Sequence, residues 1–203
     1  MQVRTQSKVR REQRARCKNC GRTVPEYDII NYLSEAGNRR LCTKCLNTEI
    51  AESGGLDNFE HAELAPIEMT DCDGKAHLFH FRLHLFGPGV SLDAFEVRHG
   101  REAGYQFQVI GKPEDDPLAL LARLIAKMRR GLSIKHLEMG DLGLQIAGQT
   151  VRARVDWDEA EGGHVPLLII DGREITWDEF GRMLMTFEGW NFKLEIWDKS
   201  DEL

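Results

Sequence analysis

Four cysteines carry the most narrowly specified chemistry in this chain. Cys17-x2-Cys20 and Cys42-x2-Cys45 form two knuckles with 21 residues between them. Two thiolates spaced by two residues aim at one point because of the turn between them, and a second such knuckle completes a tetrahedral four-sulfur site. That donor set suits zinc with no open coordination position, hence a structural ion. Iron is the competing metal for the same four thiolates, and zinc is the expectation. Gly21 follows the first knuckle and permits the tight bend that such a turn needs. The chain starts without an apolar export segment, so a reducing compartment is expected and a pair of disulfides is disfavoured. A redox pair would need one knuckle, not two. The fifth thiol, Cys72, lies between Asp71 and Asp73, whose charge disfavours a thiolate, and reads as an ordinary turn residue.

A second constellation is His77, His80, Arg82 and His84. If this stretch is a strand, His80, Arg82 and His84 share one face, and the two outer imidazoles are roughly 13 Å apart, too far for one metal ion. The expectation is an exposed or partner-facing surface, with the Arg82 guanidinium between imidazoles as a candidate anion site. Glu114-Asp115-Asp116 reads as an acid-rich helix start, and the acids around Trp157 (Asp156, Asp158, Glu159, Glu161) as a solvated loop rim. No phosphate-binding glycine loop, nucleophile elbow or His-Glu-x-x-His helix occurs.

Charge is unevenly spread over the 203 residues. Residues 1–18 hold Arg4, Lys8, Arg10, Arg11, Arg14, Arg16 and Lys18 against Glu12, a segment of +6 in a chain of net charge −6, so the remainder is −12. Arg10, Arg11, Arg14 and Arg16 beside the cysteine module would present cations to nucleic acid or to an acidic protein surface. The plainer expectation is a solubilising tail, or one folded back on its own acidic body. No stretch approaches the roughly 18 apolar residues of a membrane span. The closing Ser200-Asp201-Glu202-Leu203 reads as coincidence rather than a retention signal, so cytoplasm is the expected location.

The elements that must position these residues can be read from periodicity. A basic tail over 1–16 precedes a metal module over 17–56, with a hairpin between the knuckles and a helix after the second. That order resembles the treble-clef class of zinc fingers, with a zinc ribbon as the alternative. Gly54-Gly55 and a connector over 57–70 lead to a body over 71–203. There, His77–Phe86 alternates, with Phe79, Phe81, Leu83 and Leu85 inward, followed by strands at Leu92–Val97 and Tyr105–Val109. Asp116-Pro117 opens a helix with Leu118, Leu121, Ile125, Met128 and Leu132 facing the sheet, Lys127, Arg129 and Arg130 near its end, and Gly131 weakening its last turns. Strands are expected at Leu144–Ala147, Val151–Trp157 (Val151, Ala153, Val155 and Trp157 on one face) and Leu167–Ile170, the last buried on both sides. Asp171-Gly172 is a hairpin turn, and Thr176-Trp177-Asp178-Glu179 a capping box. The second helix carries Phe180, Met183, Leu184 and Phe187, and a last strand runs from Trp190 to Trp197. The fold class is α+β: a small zinc module followed by a largely antiparallel sheet packed by two helices.

The stretch from Ile170 to Trp190, with Phe107-Gln108-Val109-Ile110-Gly111 and Lys127-Met128-Arg129-Arg130, resembles an uncharacterised bacterial family. In it a four-cysteine, zinc-finger-like module precedes a domain of unknown function. The resemblance covers most of residues 17–197. It implies a bacterial, cytoplasmic protein of two-part layout and carries over no catalytic residue.

The expected function is therefore a zinc-stabilised, non-enzymatic binding protein that recognises a protein or nucleic-acid partner. The alternative is an enzyme with its site on the face bearing His80, Arg82 and His84. A third reading is an assembly device, in which a sheet edge or the finger makes a homodimer.

Overall fold

The computed structural model describes residues 13–34, 37–56, 59–141 and 143–201. Its N-terminal part comprises β1 (Arg14–Arg16), β2 (Thr23–Pro25), a 3-10 turn over Glu26–Asp28, β3 (Ile29–Ser34), β4 (Gly37–Cys42) and α1 (Thr43–Gly54). The middle part comprises β5 (Ile67–Thr70), β6 (Ala76–Phe86), β7 (Gly89–Arg98), β8 (Arg101–Gly111) and α2 (Pro117–Leu132). The C-terminal part comprises β9 (Leu137–Gly140), β10 (Gly143–Ile146), β11 (Arg154–Trp157), β12 (Pro166–Ile170), β13 (Arg173–Thr176) and α3 (Trp177–Leu184), then a 3-10 turn over Met185–Phe187. All strand pairings among the described residues are antiparallel. The α+β class with mostly antiparallel sheets stands, with three helices.

The apolar residues gather into three clusters. Cys17, Leu41, Cys42, Cys45 and Leu46 form the first. The second lies between α2 and the meander β5-β6-β7-β8, with Phe79, Leu83, Leu85, Leu92, Leu124 and Met128 at its centre. The third joins Leu137, Ile146, Leu168, Ile170, Ile175 and Met183 under α3. The span 71–203, expected as one body, thus holds two apolar clusters.

Phe79, Leu83 and Leu85 point into the core as their alternation requires, and Phe81 packs against it. Asp116 caps α2 by accepting from the amide of Leu118 at 3.0 Å, with Pro117 at the first helical position. The stripe α2 buries is Leu120, Leu124, Met128 and Leu132, whereas Leu118 is 68% exposed. Apolar residues on this helix span more than one face, and the sheet selects the one that brings Gly131 against Phe107. A Cβ on Gly131 would lie 2.5 Å from Phe107 Cε1, so this glycine, one residue before the end of α2, is the point of close helix–sheet approach. Lys127, near the end of α2 with Arg129 and Arg130, is buried, and its ammonium donates to the carbonyls of Gln108 (3.0 Å), Lys199 (2.7 Å) and Ser200 (3.2 Å).

In the C-terminal part, β12 is the central strand between β11 and β13 and buries Leu168, Ile169 and Ile170. Asp171 (φ 49°) and Gly172 (φ 67°) make its turn, both in the left-handed region as a type I′ hairpin requires. The Asp171 carboxylate also accepts from the amides of His136 and Leu137, at 2.9 and 2.8 Å, which fixes the start of β9. The capping box forms: the Glu179 amide donates to Thr176 Oγ1, and the Thr176 amide to Glu179 Oε2. Val155 and Trp157, expected on one face, lie on the edge strand β11 and are both exposed, at 65% and 64%; β11 starts at Arg154, so Val151 and Ala153 stand outside it. One expectation fails: Trp190–Trp197, expected as a strand, has no partner strand among the described residues, and every residue of it is exposed. Alternation specifies two faces but supplies no neighbour.

Candidate metal centre

The first knuckle lies in the connection from β1 to β2, and the second spans the end of β4 and the first turn of α1. β1 and β2 pair through Arg14–Pro25, Ala15–Val24 and Arg16–Thr23, which forces the chain between them to turn back at Cys17–Gly21. Gly21 takes φ 71° there, and its amide donates to the carbonyl of Cys17 at 3.1 Å. The Lys18 amide donates to Arg40 O on β4 at 2.9 Å, which brings the first knuckle to the second. Cys42 occupies the N-cap position of α1, so Cys45 falls in its first turn on the same side.

One sulfur from each of Cys17, Cys20, Cys42 and Cys45 lies within 4.8 Å of all the others, and Cys20 Sγ is 3.9 Å from Cys42 Sγ. Tetrahedral thiolates at Zn–S distances of about 2.3 Å stand about 3.8 Å apart, so the four sulfurs are spaced to hold one ion. Cys17, Cys42 and Cys45 are buried, and Cys20 faces solvent. The Cys42 amide donates to Cys17 Sγ at 3.3 Å. Burial opposes the Cys17 thiolate, but the backbone groups of Cys42, Cys20 and Asn19 outweigh it and bring this thiol down to about 6. Burial pushes Cys42 up to about 12, which a bound cation would reverse. Among the described residues, these four side chains are the one group of His, Cys, Asp and Glu gathered closely enough to hold a metal ion.

The module is fastened to the body by Asn47 of α1, which is fully buried. β5 pairs with β6 through Phe79 and no further, leaving the later part of that β6 edge without a strand. There the Asn47 side chain replaces one: Nδ2 donates to Leu83 O at 2.7 Å, and Oδ1 accepts from the Leu85 amide at 2.9 Å. An isolated Asn on a helix gives no sequence signal for this role.

His80 and Arg82 lie under Tyr27 of the module rather than open to solvent, and His84 is half-buried. Tyr27 OH is 3.0 Å from His80 Nδ1, and the Tyr27 ring packs 5.5 Å from that of Phe95. Arg82 donates to Tyr27 O at 3.1 Å, pairs with Glu102, lies 3.7 Å from Asp93 and stands over the Phe95 ring. Its charge is thus directed at internal carboxylates. Burial first, then the Arg82 charge, hold His84 below the usual imidazole range. Asp93 is buried and accepts from Gln108 Nε2 at 2.7 Å, with Lys199 Nζ 3.9 Å away.

His77 was singled out in the sequence without a role. It is buried beside two carboxylates, with Nε2 2.8 Å from Asp71 Oδ2 and Nδ1 3.0 Å from Glu96 Oε1. Burial would raise Asp71, but His77 and the amides of Lys75 and Asp73 hold it below the usual carboxylate range. Cys72 is exposed in the adjacent turn. Asp115 accepts from the Lys112 amide at 2.9 Å, and Asp158 from that of Ala160 at 2.9 Å, so these acids serve local turns. Arg14 and Arg16 are exposed on β1; Arg10 and Arg11 lie outside the described residues. No helix among the described residues is long and apolar enough to cross a membrane.

Three family models match the chain, each a domain of unknown function: DUF7685 over residues 16–57, DUF7686 over 60–133 and DUF7713 over 136–201. No curated protein and no solved structure matches it. The chain is thus similar to three uncharacterised domains in series, the first of which carries the four-cysteine centre, and the middle apolar cluster draws Ala51 from that first segment.

Proposed function

We propose that this chain is a zinc-stabilised, non-enzymatic binding protein, whose treble-clef module presents a cationic surface to the phosphate backbone of a nucleic acid. The observation that carries this reading is the charge on the first knuckle. Arg14, Arg16, Lys18 and Arg22 are all exposed around the exposed Cys20. The basic segment containing Arg10 and Arg11 enters the module at the same place. Four protein sulfurs leave zinc no open position, so the ion organises this surface and performs no chemistry. The five free thiols suit a reducing, cytoplasmic location. An acidic protein surface is the other partner class the same cations would fit. The alternative of an enzyme at His80, Arg82 and His84 loses support from Tyr27, which sits on His80 and Arg82.

The test is fluorescence anisotropy with single- and double-stranded DNA and RNA, using the zinc-loaded full chain. Affinity should fall at least about tenfold between 50 and 200 mM salt, as release of counterions from several phosphates requires. Arg14→Glu with Lys18→Glu, or removal of residues 1–12, should weaken binding to every sequence alike. Absence of binding at low salt, or binding indifferent to salt and to these changes, would overturn the reading.

A further inference from the structure

The segment Trp190–Trp197 has a pattern that nothing in its own chain satisfies. Trp190, Phe192, Leu194, Ile196 and Trp197 are 63%, 80%, 74%, 82% and 60% exposed. Single exposed apolar residues are ordinary, but Trp190, Phe192, Leu194 and Ile196, at alternate positions, form a patch of several hundred Å², on the order of the largest patches soluble monomers leave open. Among the described residues, no backbone hydrogen bond reaches Asn191–Trp197. Yet both ends are held. The Trp190 amide donates to Phe187 O at 2.9 Å, and the carbonyls of Lys199 and Ser200 accept from the buried Lys127 ammonium. Lys199 in turn reaches Gln106 Oε1 at 3.3 Å. Anchored ends keep the strand's unpaired amides and carbonyls presented, and reduce the ordering cost of pairing them.

Lys193 and Glu195 form an ion pair two residues apart, so they share one side of the segment, opposite to Phe192, Leu194 and Ile196. This arrangement is its own complement. If two copies align antiparallel with Leu194 on the two-fold axis, Lys193 faces Glu195 of the second copy and Glu195 faces Lys193 of the second copy. Phe192 then meets Ile196, and Leu194 meets Leu194. Parallel alignment in register would instead set lysine against lysine and glutamate against glutamate. We propose that Trp190–Trp197 is a dimerisation strand, which pairs antiparallel with the same segment of a second copy about Leu194. Such an interface is isologous, and it removes an edge that would otherwise template aggregation.

The test is sedimentation equilibrium of the full zinc-loaded chain at micromolar concentrations. The expected mass is twice the 23.2 kDa of one chain. Lys193→Glu sets glutamate against glutamate at two places in the dimer, and Glu195→Lys sets lysine against lysine. Each should weaken dimerisation about tenfold, and the double exchange should restore it. An equimolar mixture of the two single variants should also pair, because their charges complement one another. Leu194→Asp, with two carboxylates on the axis, should be monomeric. These side chains are exposed, so unchanged circular dichroism and metal content would verify that each variant folds. A wild-type chain that sediments at the mass of one copy would overturn the proposal. So would single reversals that leave affinity unchanged, a double exchange that fails to rescue, or a Leu194→Asp variant that still dimerises.

Discussion

The metal module and the four-stranded sheet lie side by side but are stabilised by different means. The module buries Leu41 and Leu46 with three cysteines, a core too small to outweigh the entropy of ordering its residues. The sheet buries Phe79, Leu83, Leu85, Leu92, Leu120, Leu124, Met128 and Leu132 beneath α2, with Ala51 of α1 added, and no metal-ligating group gathers there among the described residues. The difference implies that one region should unfold with its metal while the other persists. Asn47 should set how far each senses the other.

Removing a bound ion should separate the two regions most clearly. Chelation, or Cys42→Ser, should cost the module on the order of 10 kcal/mol. Hydrogen exchange should then lose protection over β3, β4 and α1, and at the Leu85 amide that Asn47 holds, while keeping it over the rest of β6, β7 and β8. Equal loss in both would mean that the sheet too depends on the metal. The reverse perturbation is Leu124→Ala, which opens a cavity under α2. Denaturant unfolding should register about 3 kcal/mol, with the stoichiometry of bound metal unchanged.

Asn47→Ala tests the joint. It leaves Leu83 O and Leu85 N buried without partners, at about 1–3 kcal/mol for each unsatisfied group. Hydrogen exchange should rise at Leu85 in particular. If protection there is unchanged, the Asn47 amide is not the surrogate strand described above. The smallest effect belongs to Thr176→Ala, about 1 kcal/mol from loss of the α3 cap. It should also be pH-dependent. The amide and hydroxyl of Thr176 hold Glu179 below the usual glutamate range. A depressed carboxylate contributes stability above its unfolded pKa of about 4.3 and loses it as pH falls through the lower folded value. The gap between wild type and variant should therefore narrow under acid, and a gap that widens would refute this.

Much of the molecule was legible wherever the chemistry is local. Knuckle spacing, Asp116-Pro117, Asp171-Gly172 and Thr176–Glu179 each specify a nearby bond or turn, and each has the geometry its residues imply. Residues whose roles depend on distant partners were opaque. The expected stripe of α2 holds Met128 and Leu132 but not Leu120 and Leu124, because several faces are apolar and contact with the sheet through Gly131 and Phe107 decides among them. Short strands such as β1, β5 and β9 carry too few residues for alternation to register, and exist through their pairing. Tyr27 over His80 and Arg82, and Asn47 on the β6 edge, join residues 53 to 55 and 36 to 38 positions apart. At the site, the four ligands were readable, whereas the cover over Arg82 was not.

The proposed zinc site has four sulfurs around one ion with no other donor. Elemental analysis joined to X-ray absorption, on protein purified without added metal, is the decisive measurement. The expected result is one zinc per chain in a shell of four sulfurs at about 2.3 Å. Iron in its place, well under one metal per chain, or a nitrogen or oxygen donor in the shell would contradict it.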